Sequence, residues 1–134
     1  MSLTKPILEI MNESALAATA TVPTAPGGTE CSTVDLTDVA QAAFELEAVF
    51  NASGTEPCVF HFRCSSSGGT SSDEWDTVDY DVATLACVAG ARAQMHHVID
   101  ASPKIIQVFA VNEDSTHSMT DVKVTREIQQ VQPL

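Results

Sequence analysis

After position 28, apolar residues recur at every second place, a period that sends neighbouring side chains to opposite faces of a β-sheet and does not fit a helix. Phe44, Leu46, Ala48 and Phe50 alternate with Glu45, Glu47 and Val49, which predicts a strand with one face in a core and one mostly in water. Asn51, Ser53 and Gly54 end it as turn residues. A second strand is expected directly after, with Cys58, Phe60, Phe62 and Cys64 on one face and Val59, His61 and Arg63 on the other.

Residues 65–74 read Ser-Ser-Ser-Gly-Gly-Thr-Ser-Ser-Asp-Glu, a polar stretch with nothing to bury, and predict an exposed loop. A strand is expected from Thr77 to Val88, with Gly90 as a turn or bulge after it. Another runs from Ala91 to Ile99 and is closed by Pro103. Lys104 to Val111 is apolar on both faces except at Gln107, the pattern of a central strand covered on both sides. Met119 to Gln129 sets Val122, Val124 and Arg126 against Asp121, Lys123 and Glu127 and predicts a half-exposed final strand. Seven or so short strands separated by turns predict a mainly β chain, a single antiparallel β-sandwich of jelly-roll or immunoglobulin-like type over residues 29–134.

The first 28 residues lack this pattern. Pro6 followed by Ile7, Leu8, Ile10 and Met11 reads as a helix turn or as a short strand, and Thr21 to Gly28, with Pro23 and Pro26, reads as a linker. Residues 1–28 are expected to form an arm that folds on its own domain or on a neighbouring subunit.

At 134 residues the chain is expected to be one domain. Six Lys and Arg against eighteen Asp and Glu leave a net charge of −12, which repels a phosphate backbone and argues against a nucleic-acid partner. No run of eighteen apolar residues occurs, so no membrane partner or membrane-spanning helix is expected. Ala15 to Val22 is preceded by Glu9 and Glu13 where an export signal carries positive charge, and the chain is expected not to be secreted. Cys31, Cys58, Cys64 and Cys87 are expected to be reduced thiols. A Cys58–Cys64 bridge would have to span about 20 Å of one strand at roughly 3.3 Å per residue.

No metal site, cofactor or catalytic residue is expected. Cys58 and His61 fall on opposite strand faces, as do His96 and His97, and no Cys-x-x-Cys or Gly-x-Ser-x-Gly motif is present. Asp79 and Asp81 would share a strand face about 6.6 Å apart, a spacing open to Ca²⁺, although a solvated acidic edge explains them more simply. Trp75 and Tyr80 flank the long loop, where they offer rings to a sugar or a protein partner; a Trp capping one end of the core is the plainer reading.

The succession of Val34-Asp35-Leu36-Thr37, an alternating strand, a second strand ending in Ser residues, and a loop closed by Trp75-Asp76-Thr77 resembles small virion structural proteins of tailed phages and prophages. The resemblance continues through Ile105, Ile106, Val108 and Asn112, with one extra residue of spacing, and through Met119 to Val124. It covers about two thirds of the chain. Ser72-Asp73-Glu74 stands where that pattern has Ser-Asp-Gly, and Gly68-Gly69 lengthens the loop. The resemblance implies a non-enzymatic head or tail component, made in the bacterial cytoplasm, that joins copies of itself and other virion proteins. The competing class is a carbohydrate- or ligand-binding sandwich using Trp75, Tyr80, Asp79 or Asp81.

Overall fold

A computed structural model describes residues 2–4, 7–69, 71–100, 103 and 105–132. The expectations placed on Pro6 and Lys104 lie outside the described residues. The chain is mainly β, a single antiparallel sandwich of two sheets. Its strands are β1 (Ser2–Thr4), β2 (Ile7–Leu16), β3 (Thr21–Val22), β4 (Val34–Asp35), β5 (Val39–Val49), β6 (Cys58–Ser65), β7 (Asp81–Leu85), β8 (Arg92–Ile99), β9 (Ile105–Asn112) and β10 (Met119–Gln132).

In the first sheet β10 lies between β5 and the successive strands β1 and β2, and β8 closes the far side of β5. In the second sheet β9 lies between β6 and the short strands β3 and β4, and β7 closes the far side of β6. Every strand pair is antiparallel, and among the described residues β6 and β7 are the only consecutive strands that pair. The remaining ladders join segments distant in sequence.

The two-residue period predicts the inward faces correctly. Phe44, Leu46 and Ala48 of β5 and Phe60 and Phe62 of β6 are completely buried, as are Val122 and Val124 of β10. Phe44 meets Phe62 across the sandwich edge to face, with centroids 5.2 Å apart, a contact that adds about 0.5–1.5 kcal/mol to the burial of both rings. Cys31, Cys58 and Cys64 are buried among these residues, and all four cysteines are unbridged. Burial pushes the Cys31 and Cys58 thiols up to about 12 and Cys64 to about 11.

Three expectations need correction. First, Ile7–Leu16, expected as a helix turn or a short strand, is a longer, ten-residue strand registered along β10, so of the two expected placements it takes the one on its own chain, with Leu16 opposite Met119 and Ile7 opposite Glu127. Its alternation is hidden because Ile10 and Met11 are both buried where the register shifts at Val124–Thr125. Second, the strand expected from Thr77 to Val88 begins only at Asp81 and ends at Leu85. Trp75 pairs with Ser65 and Asp81 with Phe62, so six residues of advance on one chain meet three on β6, and the excess loops out of the ladder. Third, Asp79 therefore lies outside the strand and does not share a face with Asp81.

β9 is buried along both faces, as its composition predicts, but its outer cover is a loop. Ile106, Val108 and Ala110 face the core, while Gln107 and Phe109 face outward opposite Arg63 and His61. The segment between β3 and β4 arches over them. Gln107 holds it: its Oε1 accepts from Gly27 N at 2.9 Å, and its Nε2 donates to Gly28 O at 2.9 Å and Cys31 O at 2.8 Å. The opposite end of the sandwich is locked by Asn112 and Asp114. Asn112 Nδ2 donates to the carbonyls of Leu16, Ala17 and His117. Asp114 accepts from the backbone of Thr55, Thr116 and His117.

Candidate functional site

Odd-numbered residues of β6 point away from the core, which places His61 and Arg63 on the outer face of the second sheet beside Phe109 of β9. Asp79, released from the ladder, reaches both: His61 Nδ1 lies 2.7 Å from Asp79 Oδ2, and Arg63 Nε donates to Asp79 Oδ1 at 3.2 Å. The Arg63 guanidinium also sits 5.6 Å above the Phe109 ring, a cation–π contact worth about 0.5–1 kcal/mol at a partly exposed position. Burial pushes the Asp79 carboxyl up, but the hydrogen bonds from His61 and Arg63 outweigh it and hold it below the usual carboxylate range.

Between this cluster and the loop carrying Pro23 and Pro26 lies a pocket of about 260 Å³, with Phe109 and Val111 on its apolar side. That is below the roughly 300–1,000 Å³ of sites for drug-sized ligands. It has room for one or two side chains, with an apolar wall and a charged rim.

The residues expected to carry a site go to different places. Trp75 is 5% exposed, and its Nε1 donates to Gly69 O at 3.3 Å, so the ring lies beneath the long loop and offers no free face for stacking. Gly69 is required there: at φ +72° a Cβ would stand 2.8 Å from Trp75 Cζ2. Tyr80 is 41% exposed at the approach to β7, where its N–H donates to Phe62 O at 2.7 Å. Asp81 turns inward instead of outward, because it stands opposite Phe62. Its Oδ2 is 2.7 Å from Nε2 of His97, whose ring stacks on Phe62 with centroids 5.2 Å apart. β7 and β8 are the edge strands on one side of the sandwich, so this side-chain hydrogen bond ties the two sheets across their open side.

The outer faces of both sheets mix charged pairs with exposed apolar side chains, Val98 of β8 among them on the first. On the first, Glu47 pairs with Arg92 and Glu45 hydrogen-bonds with His96 across β5 and β8. On the second, Val82 lies opposite His61 and Val111 opposite Val59, and the adjoining approach to β7 exposes Val78 at 75% together with Tyr80. His61, Arg63 and Phe109 were not singled out by sequence reasoning. The available signal was the apolar outer face of β9, which demands a covering segment and hence a crevice beside it.

No protein-family model and no curated protein matches the chain. Among solved structures, it is similar in fold to PRD1 vertex protein P5, with a TM-score of 0.51 and 11% identity over 98% of this chain and 100% of that one. A second similar structure, "Bacillus endospore appendages form a novel family of disulfide-linked pili", has a TM-score of 0.45 and 11% identity over 98% of this chain and 88% of that one. At these identities the likeness to the vertex protein is one of fold.

Proposed function

We propose that the chain is a non-enzymatic building block of a phage or prophage particle that associates with copies of itself through the second sheet. The observation that carries the proposal is the exposed group Val78, Tyr80 and Val82 beside β7, an edge strand paired on one side alone among the described residues. The strand order supports the finer reading of a jelly roll, since β2-β10-β5-β8 faces β9 flanked by β3 and β4 and followed by β6 and β7. A rigid sandwich with closed ends suits repeated assembly. The virion assignment draws on the resemblance through Val34–Thr37, Trp75–Thr77 and Met119–Val124, and is compatible with the fold of the PRD1 vertex protein. On this reading the chain is made in the bacterial cytoplasm and passes into the particle.

The ligand-binding alternative loses its main platform, because Trp75 lies inside the molecule. Light scattering on the purified protein tests the proposal. A defined oligomer, with rings or tubes in electron micrographs, is expected; a monomer at every concentration up to the solubility limit would overturn it.

A further inference from the structure

The pocket beside His61 and Arg63 is too small for most cofactors but suits an anchoring side chain from another polypeptide, the arrangement by which a few buried residues dominate an interface. We infer that its occupant is the start of β2 of a second copy, with Ile7 entering against Phe109 and Val111 and Glu9, on the same strand face, meeting Arg63. This inference rests on the self-association reading and names the contact that would produce it.

Three observations select that segment. Ile7 is 68% exposed, an aliphatic residue that the strand's own core does not use, and it shares a strand face with Glu9 two positions on. Farther along β2 the free side is taken, since Ser32 N donates to Ile10 O at 2.9 Å and Met11 bridges to Cys31, which leaves residues 7–9 uncovered. Charge supplies the third. A chain of net charge −12 repels its own copies, so an approach succeeds only where an acidic residue meets one of six Lys and Arg. Arg63 meets that need: Asp79 takes its Nε, and its two terminal nitrogens bond to no described residue, so they remain for a carboxylate.

The segment cannot reach the pocket of its own chain. Ile7, Leu8 and Glu9 are registered to Glu127, Arg126 and Thr125 of β10 in the first sheet, whereas the pocket lies on the outer face of the second. Donor and acceptor are thus different patches, the contact is heterologous, and repeating it builds a ring or a filament.

The experiment is sedimentation velocity on the full chain across a dilution series, with parent, Ile7→Ser, Glu9→Arg, Arg63→Glu and the double variant Glu9→Arg/Arg63→Glu. Circular dichroism melts confirm that each is folded. Each single change should weaken association about tenfold or more, and the double variant, or an equimolar mixture of the two charge variants, should restore it. Ile7 and Glu9 are remote from the pocket of their own chain, so they test the contact even if Arg63→Glu disturbs Asp79. If the parent associates but the single variants associate equally well, or the charge swap restores nothing, the contact is wrong while the assembly reading stands. A parent that stays monomeric at every concentration overturns both.

Discussion

Gln107 is the only polar residue of β9 with its side chain wholly buried on the outer face, and replacing it with Leu isolates what its amide does. The change keeps the size of the side chain but strands three backbone groups: Gly27 N–H, Gly28 C=O and Cys31 C=O. The Cys31 carbonyl is in a buried bond, and losing its donor costs about 1–3 kcal/mol. The other two bonds are partly buried, so water can replace the amide, and each costs about 0.5–1.5 kcal/mol. Leu returns about 1 kcal/mol, because it loses less rotamer freedom on burial than Gln. The net loss is about 1–5 kcal/mol, the middle of which, at roughly 3–5 °C per kcal/mol for a domain of this size, lowers the melting temperature by roughly 10 °C. Urea titration measures the stability, and hydrogen exchange should show the amides of residues 27–31 opening well before those of β6. A variant within about 0.5 kcal/mol of the parent, with unchanged exchange in that segment, would refute the claim that this amide fastens the loop over the sheet.

Acid should destabilise the protein through two carboxylates. The backbone N–H of Thr116 contributes most to holding Asp114 well below the usual range, and Asp79 is lowered by His61 and Arg63 against the opposing effect of burial. Both titrate lower folded than unfolded, so their stabilisation is complete above the unfolded value of about 3.9 and is lost as pH falls below it. The urea midpoint should drop between pH 5 and pH 2, and Asp114→Asn should lower it at neutral pH while making that drop shallower; an equally steep drop in the variant contradicts the assignment. Gly69→Ala should cost about 1–3 kcal/mol, from positive φ and the approach to the indole, and should shift the emission of the single Trp75; unaltered emission and stability would mean the loop is not held against that ring.

The sequence by itself determined that the chain is mainly β and which residues of β5, β6 and β10 face the core. Alternation in β5, β6 and β10 is a local property, written in side chains such as Phe44, Phe62 and Val124 that have one place to go. Pairing is not local. β10 lies between β2 and β5, strands separated from it by most of the chain, and no period within one segment names its neighbours. Only the tertiary structure placed Ile7–Leu16 in a sheet, because the register shift on β10 erased the alternation that would have revealed it. Asp79 and Asp81 show the same limit at the site. Their spacing implied a common face, but the partners they found, His61 with Arg63 and His97, come from strands on different sheets, and the excess residues before β7 turned the two carboxylates apart. Hydropathy decides which side chains leave water, and it acts through short windows of sequence. The directions of the polar ones are set by register and by whatever distant segment arrives beside them.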